Sequence, residues 1–125
     1  MGKILIVDDD QGTTKLLEFI LSKEGYDVVS VNNGYETLSA AQAYNPDLIL
    51  LDLMMPSIDG FEVCRNLRAE SQFLHTPIVF FTSIGDVEQK VAAFGSGAND
   101  FITKPIHPRE LKLRIKAWIQ HSGGN

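Results

Sequence analysis

Apolar residues in this chain gather into short runs separated by longer amphipathic stretches. The strongest runs are Ile4 to Val7, Val28 to Val31, Leu48 to Leu53 and Ile78 to Phe81, with a weaker one at Phe101-Ile102-Thr103. Three of them are nearly unbroken instead of alternating, the pattern of strands buried on both faces of a parallel sheet. Between the runs the period becomes helical. Leu17, Ile20 and Leu21 mark the first helix, Val87, Val91 and Phe94 the fourth, and Leu111, Ile115, Trp118 and Ile119 a single stripe on the last. Gly25, Asn45-Pro46, and Gly95 with Gly97 stand where helices are expected to stop. Five strand–helix alternations with short connections predict right-handed crossovers and a sheet covered on both faces. The fold class is α/β, in three layers.

The chain has 125 residues, the size of one domain, and 44% hydrophobic with 22% charged residues is the balance of a folded globular protein. Residues 1–121 are expected to form that domain and Ser122 to Asn125 a flexible tail, either a frayed end or the start of a linker. The net charge of −5, from 16 acidic and 11 basic residues, is the wrong sign for coating nucleic acid through its phosphates. The lone Cys64 excludes an internal disulfide, and no apolar stretch is long enough to span a bilayer. The short run after Lys3 ends in Asp8-Asp9-Asp10, which excludes a signal peptide. A cytoplasmic location with no membrane contact is the expectation.

In an open parallel sheet, ligands sit beyond the carboxyl ends of the strands. Here Asp8 and Asp9 close the first strand, Asp52 the third and Thr82 the fourth, and Lys104 lies just past the fifth. Three carboxylates brought together repel one another unless a cation sits among them. A hard divalent ion with oxygen ligands suits the set, and Mg²⁺ in particular uses few carboxylates and completes its shell with waters and phosphate oxygens. Asp52 is then the candidate nucleophile toward phosphorus. Lys104 would hold a phosphoryl oxygen, and the Thr82 hydroxyl would donate to another.

Four ordered motifs carry a resemblance that covers essentially the whole chain: Val7-Asp8-Asp9-Asp10, Asp52-Leu53-Met54-Met55-Pro56-Ser57-Ile58-Asp59-Gly60, Phe81-Thr82-Ser83 and Thr103-Lys104-Pro105. The sequence resembles the receiver domain of two-component response regulators, including the single-domain chemotaxis type. The resemblance implies a flavodoxin-like (βα)5 sandwich with strand order 2-1-3-4-5. It implies phosphorylation of Asp52 by the phosphohistidine of a sensor histidine kinase or phosphotransfer protein, or by a small acyl phosphate. It further implies Mg²⁺ (or Mn²⁺) on Asp9, Asp52 and the Met54 backbone carbonyl, with Asp8 acting through water. Lys104-Pro105 would be cis, and Thr82 and Phe101 would be the switch pair. Met54 and Ile84 would flank the phosphoryl group; both are bulky and apolar, so a persistent phosphoaspartate is expected. Phe101 lacks the hydroxyl of the tyrosine that many relatives carry there. Such a domain is not an enzyme with turnover, since each chain accepts one phosphoryl group. The fourth helix, fifth strand and fifth helix would form a homodimer face, with Lys90, Asp100 and Arg109 pairing across it.

Each residue also has an ordinary reading. Asp8 and Asp9 suit a turn and a helix cap, and Asp10 keeps that role. Lys104 alone is a loop lysine, and Thr82 alone a strand residue; their joint placement favours the site. Cys64 shares helical spacing with Phe61 and Leu67, so a buried thiol is expected. His75, His107 and His121 lack metal-ligand spacing and belong on the surface, and Arg109, Lys112 and Lys116 form a solvated stripe. Gly95-Ser96-Gly97 lacks the third glycine of a nucleotide loop. Among rival functions, a haloacid-dehalogenase phosphatase needs a second acid two residues past its nucleophile, where Met54 stands. A flavin binder would meet repulsion between its phosphate and the carboxylates. A phosphorylation-independent receiver-like interaction module is the remaining alternative.

Overall fold

Unbroken Leu, Ile, Val and Phe runs can satisfy both faces of a strand only between two layers of helices. The computed structural model describes residues 2–56, 58–83 and 87–123. Its elements follow in the expected alternation: β1 (Lys3–Val7), α1 (Gln11–Lys23), β2 (Asp27–Val31), α2 (Thr37–Tyr44), β3 (Leu48–Leu51), α3 (Gly60–Arg68), β4 (Ile78–Thr82), α4 (Val87–Gly95), β5 (Asp100–Thr103) and α5 (Pro108–Gly123). Short 3-10 turns occupy Gly34–Glu36 and Ser71–Phe73. All neighbouring strands pair in parallel, in the order β2-β1-β3-β4-β5.

The pleat divides the apolar residues between two cores. Leu5, Val7, Ile49, Leu51, Ile78, Phe80 and Phe101 point to one face, where Ala41, Val63, Cys64, Leu67 and Ala93 of α2, α3 and α4 cover them. Ile4, Ile6, Leu48, Leu50, Val79, Phe81 and Ile102 point to the other, against Leu17 and Leu21 of α1 and Leu111 and Ile115 of α5. Each fully buried leucine contributes roughly 1.5–3 kcal/mol. Leu21→Ala would therefore cost about 2–5 kcal/mol, because its site cannot collapse between α1 and the sheet. β2, at the edge, is only half covered.

Helix ends follow local chemistry. Asp10 caps α1 by accepting from the Thr13 backbone N–H, and Asp59 caps α3 by accepting from Phe61 N at 2.8 Å. Asn45 ends α2 in the left-handed region, which its short polar side chain tolerates, with its N–H on the Ala41 carbonyl. Gly25 and Gly97 have positive φ after α1 and α4, whereas Gly95 is still within the last turn of α4.

The helix expected around Val87, Val91 and Phe94 is α4, in which Val91 is 66% exposed, Phe94 50% and Ala93 buried, while the side chain of Val87 lies outside the described residues. One expectation needs correction. Ser122 and Gly123, expected in a tail, continue α5, since each added residue extends an existing hydrogen-bond ladder. Residues 124 and 125 lie outside the described residues. His75 and His107 are exposed and Cys64 is buried, as expected.

Behind the sheet, Arg68 ties three segments together. Its Nε donates to Gly97 O at 2.9 Å, its Nη1 to Phe73 O and Thr76 O at 2.6 Å each, and its Nη2 to Asn99 Oδ1 at 2.7 Å. Burial holds its pKa below the usual arginine value, and no carboxylate pairs with it among the described residues.

Candidate functional site

The strand order places the ends of β1 and β3 side by side, and the first and third strands deliver the acids. Val7 registers with Leu51, and Asp52 N donates to Val7 O at 2.8 Å, so Asp8 and Asp52 leave the sheet together. One ligand atom from each of Asp8, Asp9 and Asp52 lies within 4.8 Å of the others. Asp8 and Asp52 are buried and Asp9 is exposed. On the other side, Thr82 pairs with Thr103, and Lys104 N donates to Thr82 O at 2.7 Å. Lys104-Pro105 is cis, as the resemblance implied. The Lys104 ammonium reaches back across the sheet to Asp8 Oδ2 at 2.9 Å and stands 3.9 Å from Asp52 Oδ2.

Asp8 is engaged on both carboxylate oxygens. Its Oδ1 accepts from Asp10 N at 3.0 Å, its Oδ2 from Lys104, and its backbone carbonyl from Asn32 Nδ2 at 2.8 Å. Asp52 is different. Burial and then the neighbouring Asp8 charge push its pKa up from 3.8 to about 6, against the opposing pulls of Lys104, the Met54 backbone N–H and the Thr82 hydroxyl. Two unit charges about 5 Å apart repel by roughly 3 kcal/mol at an effective dielectric near 20. One ammonium among three carboxylates leaves a net charge of about −2 to be balanced. The donors are all oxygens, and the exposed side at Asp9 admits water, so the set fits a hard divalent cation rather than a metal that seeks nitrogen or sulfur.

The other predicted residues fall as follows. Thr82 is wholly buried at the end of β4, and Phe101 is 6% exposed with its ring directed inward, 6.3 Å from the Phe80 ring. Met54 is 60% exposed on the loop after Asp52. Ile84 lies outside the described residues. Asp10 stays a cap, and hydrogen bonds from Thr13 hold its carboxyl below the ordinary value.

Two residues with a positioning role were not singled out in the sequence. Asn32, just past β2, fixes the backbone of Asp8; an asparagine after an edge strand reads as turn chemistry, so only the fold reveals it. Gly60 carries the start of α3 against the phosphoacceptor candidate. A Cβ there would lie 2.7 Å from Asp52 O and 2.7 Å from Leu53 Cα, and Gly60 N donates to Leu53 O at 3.0 Å. It closes the motif that begins at Asp52, but the close approach was not visible in the sequence.

Residues 4–116 match the family model described as the response regulator receiver domain. The alkaline phosphatase synthesis transcriptional regulatory protein PhoP of Bacillus subtilis is 43% identical over 96% of this chain and 49% of its own length. The DNA-binding dual master transcriptional regulator RpaA of Synechocystis is 38% identical over 98% of this chain and 51% of its own length. The chain thus spans about half the length of the curated relatives it matches. Among solved structures, chemotaxis protein CheY4 of Vibrio cholerae superimposes with a TM-score of 0.90 at 32% identity, covering 94% of this chain and 98% of that one. The BeF3-activated N-terminal receiver domain of RstA from Klebsiella pneumoniae gives 0.88 at 34% identity, over 94% and 98%. With its acids, lysine and threonine gathered at the ends of β1, β3, β4 and β5, this chain belongs to the response-regulator receiver domain family of two-component systems.

Proposed function

We propose that Asp52 is the phosphoacceptor of this domain. The observation that supports it best is the environment of Asp52: a 6% exposed carboxylate with its pKa raised to about 6, next to a lysine that another acid holds. At neutral pH such a carboxylate is ionised and more basic than an ordinary one. Its oxygen attacks the phosphorus of a phosphohistidine on a sensor histidine kinase or phosphotransfer protein, or of a small acyl phosphate. The P–N or P–O bond to the donor breaks, and an acyl phosphate remains on Asp52.

Asp9, Asp52 and the Met54 backbone carbonyl would hold Mg²⁺ (or Mn²⁺), with Asp8 acting through water. Bound there, the cation offsets the carboxylates and neutralises phosphoryl oxygens. Lys104 contributes a fixed positive charge to another phosphoryl oxygen, and the Thr82 hydroxyl donates to a third. Each chain accepts one phosphoryl group and releases it slowly to water, so the domain is a switch with no turnover of its own. Thr82 moving toward the phosphoryl group frees the space behind it, and Phe101, already packed inward, holds the altered state.

A homodimer through α4, β5 and α5 is part of this reading. Lys90 and Arg109 are exposed and available for it. Asp100 is engaged within the chain, by Arg114 Nη1 at 2.7 Å and Trp118 Nε1 at 3.0 Å, so pairing across a dimer requires an exchange of partners. The net charge of −5 speaks against DNA binding by this chain itself. Because the relatives are transcriptional regulators about twice as long, DNA-directed output from a further segment in the cytoplasm is the accompanying reading. Among the described residues no helix is long and apolar enough to cross a membrane.

The test is intact mass after incubation with acetyl phosphate, with and without Mg²⁺, on the wild type and on Asp52→Asn. One added phosphoryl group that needs both the metal and Asp52 supports the proposal. An adduct that survives Asp52→Asn moves the acceptor elsewhere, and no adduct under any condition favours a phosphorylation-independent interaction module.

A further inference from the structure

The parallel register sets the residue after β2 beside the acids. Val31 pairs with Val7, so Asn32 stands next to Asp8 where both strands leave the sheet. Its Nδ2 donates to the Asp8 backbone carbonyl at 2.8 Å and to Thr14 Oγ1 at 3.5 Å. Thr14 is buried in the first turn of α1, and its hydroxyl donates to Gln11 O at 3.0 Å, which leaves its oxygen to accept. One amide thus ties the ends of β1 and β2 to the start of α1.

The Asp8 carbonyl belongs to the rigid peptide plane that joins Asp8 to Asp9, so a hydrogen bond to it sets the direction in which Asp9 leaves the chain. The plane on the other side of Asp9 is held as well, because Asp10 N donates to Asp8 Oδ1 at 3.0 Å. Asp9 is exposed, and its carboxylate has no hydrogen bond or ion pair among the described residues. An oxygen of Asp9 nevertheless lies within 4.8 Å of one from Asp8 and one from Asp52. No contact of the Asp9 side chain keeps it there; its two flanking peptide planes do. The second plane is held from inside the acidic turn, the first from outside it, by Asn32.

We propose that Asn32 is a positioning residue for Asp9: it fixes the Asp8–Asp9 peptide so that the Asp9 carboxylate stays beside Asp8 and Asp52, and through Asp9 it sets the affinity for Mg²⁺. The proposal rests on the reading that Asp9 and Asp52 hold the metal, and it adds to that reading a residue from just past the edge strand. Groups that orient metal ligands are typically worth about 10–100-fold in affinity, and a single exposed amide belongs at the lower end.

The test is a calorimetric titration of Mg²⁺ into the whole chain with no phosphoryl donor present, on the wild type, Asn32→Ala and Asn32→Leu. Both variants are expected to weaken Mg²⁺ about tenfold, and to do so alike, because leucine keeps the bulk of asparagine but not its donor. Labelling of Asp52 by acetyl phosphate should then need about tenfold more Mg²⁺ for half its maximum, yet reach the wild-type rate once the metal saturates. General damage to the fold would not give that split. In an Asp9→Asn background, with affinity read from the rise of the urea midpoint in Mg²⁺, Asn32→Ala should change it by less than about twofold, since both substitutions act on one group. Unchanged affinity in Asn32→Leu, or a rate that added Mg²⁺ does not restore, overturns the proposal. So does an equal loss with and without Asp9, which would route the effect through Asp8. A wild type that takes up no Mg²⁺ overturns the reading of Asp9 and Asp52 as metal ligands, and this proposal with it.

Discussion

Lys104 is held by Asp8 rather than by Asp52, its Nζ standing 2.9 Å from Asp8 Oδ2 and 3.9 Å from Asp52 Oδ2. The arrangement aims the ammonium at the site without blocking the oxygen that must attack. A fixed charge placed where a phosphoryl oxygen arrives needs no reorganisation when the reaction occurs. Lys104→Gln is expected to slow phosphorylation by acetyl phosphate about 10²-fold, and Lys104→Arg to restore little, because a planar fork does not replace a compact charge. Labelling of Lys104→Gln at the wild-type rate would remove Lys104 from the machinery.

The pKa of Asp52, raised from 3.8 to about 6, links this one group to stability. The folded chain binds that proton more tightly than the unfolded chain, so the favourable contribution is complete below about pH 4 and is lost as pH rises through 6. Without metal, Asp52→Asn escapes this loss. It is expected to be more stable than the wild type by about 1–2 kcal/mol at pH 7.5, after allowance for solvent at the mouth of the site. Urea unfolding in a chelator measures the difference, which should shrink toward zero near pH 4. Added Mg²⁺ should stabilise the wild type more than Asp52→Asn. A gain of the same size at both pH values would exclude ionisation of Asp52 as its cause.

Gly60 leaves no room for a side chain against the backbone of Asp52 and Leu53. Backbone atoms cannot step aside as a flexible side chain does. Gly60→Ala is expected to lower stability by about 1–3 kcal/mol and to weaken Mg²⁺ binding, because α3 and the loop that carries Met54 must separate. Thermal unfolding and a calorimetric Mg²⁺ titration test both parts. A variant of normal stability and affinity would show that the contact is relieved elsewhere.

Met54 stands 60% exposed on the loop just past the acceptor, with no group on its side chain to orient water. Met54→Asn supplies one. Loss of the phosphoryl group from Asp52 should then quicken on the order of tenfold, the worth of about one hydrogen bond. Decay of the phosphorylated mass after removal of the donor measures it; an unchanged half-life would mean that Met54 does not control water.

The buried strands could be read because a run such as Leu48-Ile49-Leu50-Leu51 has only one stable home, between two helical layers. The acids, Thr82 and Lys104 could be read because strand ends fix where side chains emerge. The helical period of α4 could be read too, but periodicity reports a stripe and not which way it faces, and Val91 and Phe94 face out. The roles of Gly60, Asn32 and Arg68 depend on approaches between segments distant in the chain, and no local pattern encodes those.

The weak seating of α4 has a consequence for how the domain responds. Helices whose leucines and isoleucines are sunk into the sheet cannot shift without opening voids, whereas Ala93 is the one buried side chain among the described side chains of α4. Little is lost when such a helix slides or tilts. Moving α4 therefore disturbs less packing than moving α1 or α5, whose leucines and isoleucines fill the opposite core.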